Sequence, residues 1–201
     1  MNYDSKKIAG LLGFVGAIQF VLAVVICEAI YSGYSVGQQA MSDLGNWSLA
    51  GNSAAIFDVS LILSGMLTLA SAYFIQRGFK NRLFSSLFVI IGIGSIGVGV
   101  VAEDISLPVH SVFALFVFVF GAASAIMSYK FEKSPLSYIS AILGAVMLAA
   151  LALFISGPGF YLGLGLGGME RFIIYPFSLW SLGFGAYLIG ESSDKIITSK
   201  A

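Results

Sequence analysis

The sequence predicts an all-α integral membrane protein, a single bundle of six transmembrane helices with both termini in the cytoplasm. The composition is 58% hydrophobic and only 10% charged, with a mean hydropathy of +0.95, whereas soluble domains average about 25% charged residues. Six apolar segments each approach the ~20 residues that a helix needs to cross a bilayer. Basic residues cluster on one side of these segments. We therefore expect one multi-pass domain over residues 1–201 in the cell membrane.

The six apolar segments show no alternation of polar and apolar residues, which argues for helices rather than a membrane barrel. We place them at residues 8–31, 54–76, 83–102, 109–129, 136–156 and 172–189. The first follows Lys6 and Lys7 as the core of a signal peptide would. It is longer than the ~7–15 apolar residues typical of a signal peptide, so we interpret it as a retained helix.

Charge is distributed unequally between the two ends of the predicted bundle. Nine of the ten cations belong to one end: Lys6, Lys7, Arg77, Lys80, Arg82, Lys130, Lys133, Lys195 and Lys200. The positive-inside rule makes that end cytoplasmic. Six acids belong to the opposite, outer end: Glu28, Asp43, Asp58, Glu103, Asp104 and Glu170. The only cation predicted at the outer end is Arg171.

Small residues predict where the helices pack, because lipid provides no hydrophobic drive between helices and close backbone approach must replace it. The candidates are Gly92, Ser95 and Gly99 in the third segment and Ala141, Ala145 and Ala149 in the fifth. Gln19 lies near the middle of the first segment. An amide at that depth usually hydrogen-bonds a neighbouring helix.

The stretch "AMSDLGNWS" at residues 40–48 places an acid and a turn between two apolar segments. Ser42, His110 and one outer acid have the residue types of a nucleophile, a base and an orienting group. His110 with Asp43, Glu103 or Asp104 would equally suit a divalent metal ion. A third interpretation is that His110, the only histidine, makes a structural hydrogen bond at a helix start.

Arg171 also has two interpretations. It can pair with Glu170 or Asp43, or it can hold the phosphate or carboxylate of a lipid head group through two parallel hydrogen bonds. Glu28 and Asp58 lie at membrane depth, where ionisable groups usually face the protein interior or a water-filled cavity. Asp58 and Glu170 can alternatively complement a helix N-terminus.

The segment "GPGFYLGLGLGGMER" at residues 157–171 connects the last two predicted helices. Its glycines match the letters of a dinucleotide-binding fingerprint, but neither a strand nor a βαβ unit surrounds them, so we reject that match. We expect a flexible apolar loop that acts as a lid over the outer polar groups.

Several short motifs resemble an uncharacterised prokaryotic membrane family, domain of unknown function 998. They are "SDLGN", "AIFDVSLILSG", the histidine of "VHSVFALFVFVFGA", and "GGMERFIIYP". The order of the Ser–Asp turn and the histidine also resembles, more distantly, the eukaryotic DRAM/Frag-like six-helix proteins, one branch of which remodels glycosylphosphatidylinositol lipids. The resemblance implies a site at Ser42, Asp43, Asn46, Asp58, His110, Glu170 and Arg171.

These observations lead to a hypothesis of a lipid-active hydrolase or transferase with membrane lipids as partners. The residues that would carry out the chemistry are Ser42, Asp43 and His110. The residues that would bind the lipid are Asn46, Asp58, Glu103, Asp104, Glu170 and Arg171. A transporter that uses Glu28, Asp58 and Gln19 is an alternative, and so is a non-catalytic scaffold. A net charge of zero argues against a nucleic-acid partner. A divalent metal and a homo-oligomer remain open.

Overall fold

The computed structural model describes residues 4–198, with side chains through Glu191, and in this part all regular secondary structure is helical. The helices are α1 (Ser5–Ile30), α2 (Trp47–Ala50), α3 (Ala54–Phe79), α4 (Arg82–Val100), α5 (Glu103–Ser128), α6 (Leu136–Ser156) and α7 (Gly165–Thr198). Within this part, three 3-10 turns occur at Ser42–Gly45, Gly51–Ser53 and Pro158–Phe160. Among the described residues, six helices are long and apolar enough to cross a membrane, as predicted.

The six long helices form a closed ring in chain order. Each packs against its neighbours in sequence, α1 also packs against α7, and α5 touches α7 across the ring. Lys6 at the start of α1 pairs with Glu191 of α7 at 3.3 Å, so these two helix ends lie at the same end of the bundle. We call this the basic end and the opposite one the acidic end. The side chains of Lys195 and Lys200 lie outside the described part.

Helix starts and ends follow ordinary capping chemistry. The carboxylate of Asp4 accepts hydrogen bonds from the backbone N–H groups of Lys6 and Lys7 and so begins α1. The amide oxygen of Asn81 accepts from the N–H of Phe84 at 2.9 Å and begins α4. Lys80 ends α3 in the left-handed conformation, at φ 51°. These short-range signals keep the turn between α3 and α4 very short.

Two helices begin earlier than the hydropathy predicts. α5 begins at Glu103, and its first turn is separated from the rest by a kink at Ser106, which has φ −162° and ψ 96°. The kink lies two residues before Pro108, whose ring and missing N–H disrupt a continuous helix. α7 begins at Gly165. The flexible lid expected over 157–171 is therefore wrong for residues 165–171, which are helical.

The glycines at the start of α7 press against the loop that follows α1. A β-carbon added at Gly165 would collide with the carbonyl of Gly37, and one added at Gly167 would collide with the carbonyl of Gln39. Gly165 also has a φ of 72°, which glycine adopts without the steric cost of a side chain. Close backbone contact, rather than flexibility, explains these glycines.

Small residues bring α3 and α4 together as predicted. A β-carbon on Gly92 would lie 2.9 Å from the carbonyl oxygen of Gly65, and one on Gly99 would lie 2.6 Å from that of Asp58. Ser95 Oγ donates to the carbonyl of Leu61 at 2.8 Å. Gln19 Nε2 of α1 donates to the carbonyl of Ser60 in α3 at 3.0 Å, which confirms the predicted interhelical bond.

The packing face predicted for α6 is wrong. Ala145 and Ala149 are exposed, and the buried face carries Gly144, Met147 and Ala150 instead. A β-carbon on Gly144 would lie 2.7 Å from the carbonyl oxygen of an α5 residue, so this glycine sets the α5–α6 approach. Alanine spacing alone did not distinguish the helix-facing side from the lipid-facing side.

Candidate functional site

The loop between α1 and α3 folds over the acidic end and is fastened there by three of the predicted binding residues. Asp58 Oδ2 accepts a hydrogen bond from the indole Nε1 of Trp47 at 2.8 Å. Asp104 Oδ2 accepts from the N–H and the hydroxyl of Ser48 at 3.1 and 3.0 Å. The side chain of Asn46 caps α2. All three residues therefore have structural partners.

Arg171 is held by a buried ion pair that joins α7 to α1. Its Nε donates to Glu28 Oε1 at 3.2 Å, and its Nη2 donates to the same carboxylate. Nη2 also donates to Tyr34 Oη at 2.8 Å, and Nη1 donates to the carbonyl of Gly167 at 2.9 Å. The partner is thus Glu28, and the predicted pairing with Glu170 or Asp43 is wrong. Four of the five N–H groups of the guanidinium are thus engaged within the protein, and binding of a lipid phosphate at Arg171 stays a prediction.

Tyr34 is a residue of this group that the sequence reasoning missed. Its phenol contacts the guanidinium of Arg171 and donates to the carbonyl of Ala40 at 2.7 Å. Burial raises the pKa of Tyr34 to about 12, although the hydrogen bond and charge of Arg171 act in the opposite direction. The phenol therefore stays neutral at physiological pH and tethers the loop to α7.

Glu170 and Asp43 organise the turn at Ser42–Gly45. Glu170 Oε2 accepts a hydrogen bond from the N–H of Met41, and Asp43 Oδ2 accepts from the N–H of Ala40 at 2.9 Å. The turn is buried, with Leu44 fully enclosed. These contacts place Ser42 at a fixed position above the centre of the bundle.

His110 and Glu103 face each other beside Ser42. His110 Nδ1 lies 2.8 Å from the carbonyl oxygen of Val101. A carbonyl can only accept, so Nδ1 carries the hydrogen and the Nε2 of a neutral ring has a free lone pair. Nε2 lies 3.8 Å from Glu103 Oε1, which is too long for a direct hydrogen bond but suits an intervening water or ligand hydroxyl.

The hydroxyl of Ser42 and the carboxyl of Asp43 also lie against Glu103. The side chain of Ser42 therefore contacts the carboxyl rather than the imidazole, and this arrangement is not that of a Ser–His–acid triad, in which the base contacts the nucleophile. The chemistry that this geometry suits is an acid–base pair of Glu103 and His110. Both lie in the first turns of α5, next to the kink.

A cavity of about 90 Å³ extends from this cluster into the bundle. Ser42, His110 and Glu170 line its acidic end. Hydroxyls line its deeper part between apolar walls, from Ser64 and Thr68 of α3, Ser95 of α4, and Ser178 and Ser181 of α7. A water needs ~10–15 Å³ of such space, so the cavity has room for roughly six to nine waters or a comparable number of ligand atoms.

The structure thus divides the predicted site residues into two groups. Ser42, Asp43, Glu103, His110 and Glu170 come together at the acidic end, where Ser42, His110 and Glu170 line the cavity; we call all five the mouth cluster. Asn46, Asp58, Asp104 and Arg171 serve the loop and the α1–α7 contact instead. No group of three or more His, Cys, Asp or Glu side chains in the described part is arranged to hold a metal ion.

The comparison with protein families matches nearly the whole bundle. The family described as "Protein of unknown function (DUF998)" matches residues 14–187. The chain belongs to this family. The DUF998 match confirms the resemblance noted in the motifs, and it spans all six long helices. No curated protein and no solved structure matches the chain. The more distant resemblance to DRAM/Frag-like proteins stays a prediction.

Proposed function

We propose that this DUF998 protein binds the polar head of a membrane amphiphile at the mouth cluster and acts on it as a hydrolase or transferase. The observation that supports this most is the cavity that connects Ser42, His110 and Glu170 with the apolar interior of the bundle. A lipid-like molecule needs both parts, a polar site for its head and an apolar space for its chain. By the positive-inside rule, the mouth would open towards the outer leaflet.

The charge of the mouth cluster favours a head group that donates hydrogen bonds. The mouth cluster contains three carboxyls and one imidazole, while the Arg171 guanidinium is engaged by Glu28 and Tyr34. A phosphate at the opening would face like charge, which is unfavourable in a site of low dielectric. We therefore propose a hydroxyl- or amine-bearing head, not an anionic one bound at Arg171.

His110 and Glu103 would supply acid–base chemistry. If the amphiphile is an ester, the water oxygen bonds to the acyl carbon and the ester C–O bond breaks. His110 Nε2 takes a proton from the attacking water and returns it to the leaving alcohol, while Glu103 stabilises the protonated imidazole. Ser42 would orient the carboxyl of Glu103, and Asp43 would fix the turn that carries Ser42. Ser42 as the nucleophile would first require its hydroxyl to turn towards His110.

The test is mass spectrometry of the lipids that purify with the wild type and with His110→Ala, Glu103→Gln and Ala114→Phe. We expect the first two variants to retain a lipid that the wild type converts. Ala114 lines the cavity, so its replacement by Phe should expel the lipid. Ser111→Ala is the matched control, because Ser111 is exposed and bonds only the carbonyl of Leu107 in its own helix.

The proposal is wrong if all four variants and the wild type carry the same bulk lipids. If Ala114→Phe loses the bound lipid but His110→Ala does not accumulate an unconverted lipid, the result supports lipid binding and excludes catalysis. If His110→Ala does accumulate a lipid, a Ser42→Ala variant separates the two nucleophiles: activity is abolished if the serine attacks and is only reduced if water attacks.

The transporter alternative based on Glu28, Asp58 and Gln19 loses support from the structure. These side chains bond Arg171, Trp47 and the carbonyl of Ser60, respectively. They hold elements together, and none of them lines the cavity described above. The scaffold alternative stays a prediction, and a stoichiometric copurifying protein would support it.

A further inference from the structure

A second buried polar group lies at the basic end, outside the mouth cluster. Ser124, Ser128 and Glu132 follow one another at four-residue spacing in α5 and the turn after it, and so share one side of the helix. Ser124 and Ser128 are fully buried, and Glu132 is only 9% exposed. Ser128 Oγ lies 3.1 Å from Glu132 Oε2 and accepts from the indole Nε1 of Trp180 at 3.0 Å. We call this set the inner column.

Two atoms of the inner column lack a hydrogen-bond partner among the described residues. They are Ser124 Oγ and Glu132 Oε1, both shielded from the surroundings. Buried polar atoms in folded proteins nearly always have a partner, from protein or from ordered water. Internal water is therefore the natural partner here, since the sites are polar and enclosed.

The inner column points towards the cavity of the mouth cluster. The α5 side chains of His110, Ala114 and Val117 line that cavity, and the same side of α5 continues to Gly121 and then Ser124. At Gly121 the helix is in contact with Phe177 and Met147, which also line the cavity. These two apolar side chains therefore lie on α5 between the hydroxyl-lined cavity and the inner column.

The surroundings of Glu132 favour its neutral form. Burial raises the pKa of this carboxyl, and the hydroxyls of Ser140 and Ser128 act in the opposite direction. The titratable group that faces it from α7 is the phenol of Tyr187. On its other side the carboxyl meets α6 through Ser140. Among the described residues, no charged group is a cause of this pKa shift. Glu132 can therefore take up and release a proton without breaking an ion pair.

We propose that the bundle conducts protons between its two ends, with Glu132 as the proton-binding group at the basic end and the mouth cluster at the acidic end. Water in the hydroxyl-lined cavity and along the inner column would carry the proton between them. Phe177 and Met147 would form the hydrophobic constriction, which conducts only when water crosses it. This activity is independent of lipid processing at the mouth cluster.

The test uses the full chain reconstituted in phosphatidylcholine vesicles that contain a trapped pH-sensitive dye. Potassium and valinomycin hold the membrane potential fixed while an external pH step is applied. We expect the wild type to dissipate the pH gradient faster than protein-free vesicles do. Glu132→Gln should lose this flux completely, and Phe177→Ala should increase it, because a smaller side chain widens the constriction.

Glu191→Gln is the matched control for Glu132→Gln. Glu191 also lies at the basic end, but it is paired with Lys6 and does not belong to the inner column. We therefore expect the proton flux of Glu191→Gln to equal that of the wild type. Dicyclohexylcarbodiimide, which reacts with protonated carboxyls in apolar surroundings, should modify Glu132 and block flux. The proposal is overturned if wild-type vesicles match protein-free vesicles or if Glu132→Gln conducts as the wild type does.

Discussion

At the scale of single residues, the ionisable groups of this chain serve two different purposes. Asp58, Asp104 and Arg171 bond the loop or a neighbouring helix through their side chains. Glu103 and His110 instead face each other across 3.8 Å at the mouth of a cavity. Only the second kind of arrangement leaves room for a ligand, and this difference is the basis of the proposed site.

The Arg171–Glu28 pair should contribute strongly to stability. The Arg171 side chain is 6% exposed and that of Glu28 is 24% exposed. Removing one partner of a fully buried pair costs about 3–5 kcal/mol. Because Glu28 is partly exposed, we expect Arg171→Met to lower the free energy of unfolding by an amount near the lower limit of that range. Glu28→Gln should cost less, because the amide oxygen still accepts a hydrogen bond. Unfolding in mixed detergent micelles measures both.

A double-mutant cycle provides the control for that prediction. In Arg171→Met/Glu28→Gln neither charge remains buried, so the loss should be smaller than the sum of the two single losses. Strict additivity would contradict a direct interaction between the two side chains.

Glu132 should make stability depend on pH. Burial raises its pKa in the folded protein above the ordinary value of 4.5, so the folded state holds the proton to a higher pH than the unfolded chain. The contribution of Glu132 to the free energy of unfolding is therefore complete below about pH 4.5. It is lost as the pH rises through the pKa that Glu132 has in the folded protein. We expect Glu132→Gln to match the wild type near pH 4 and to melt higher at pH 7.

Melting temperatures of the two proteins at pH 4, 5.5 and 7 measure this difference. Glu191→Gln serves again as the control and should not reproduce the pH-dependent gain. A Glu132→Gln variant that melts lower than the wild type at pH 7 would show that the carboxylate is stabilised by a partner.

At the scale of elements, α7 and the loop after α1 behave as one unit. Gly165 and Gly167 let the start of the helix touch the loop backbone at Gly37 and Gln39, and Arg171 and Glu170 fasten the same loop one turn later. The kink at Ser106 similarly sets the direction of α5 above His110. The position of the mouth cluster therefore depends on two helix starts that contain no strongly apolar run.

Gly167→Ala should detach the loop from α7. The added methyl would collide with the carbonyl of Gln39, which is backbone and cannot rotate away. We expect a lower melting temperature and faster proteolysis within residues 32–53. Gly190→Ala, in the same helix, has open space around it and should be neutral or stabilising by about 0.5–1 kcal/mol. Equal effects of the two substitutions would contradict the close contact.

At the scale of the whole molecule, the ring of six helices has a basic end and an acidic end, and large apolar side chains cover the surface between them. Leu22, Val59 and Ile142 are among the most exposed of these, at 56–62%. Such a surface is stable only against lipid. The two ends consequently face two different aqueous compartments.

Single-cysteine labelling tests which compartment each end faces. The native Cys27 is fully buried and should not react. Asn52→Cys lies at the acidic end and Lys80→Cys at the basic end, and both positions are exposed. We expect a membrane-impermeant maleimide to label Asn52→Cys in intact cells and Lys80→Cys only after permeabilisation. The opposite pattern would reverse the proposed orientation.

Hydropathy, charge and capping residues predict the six spans, the separation of charge and the approximate ends of most helices, and both ends of α6 lie where predicted. They do so because hydropathy and capping are local properties of neighbouring residues. They also place Ser42, Asp43, Glu103, His110 and Glu170 at one end of the bundle. Their proximity to one another could not be predicted, since they come from three separate parts of the chain.

The partners of the charged side chains and the cavity depend on how the helices pack in three dimensions. Arg171 and Glu28 are 143 residues apart in the chain, and several outer acids were equally plausible partners by charge alone. The helical start of α7, the true packing face of α6 and the inner column depend on how six apolar helices of similar composition fit together. Shape at the helix contacts selects among such arrangements, and no local pattern in the sequence encodes it.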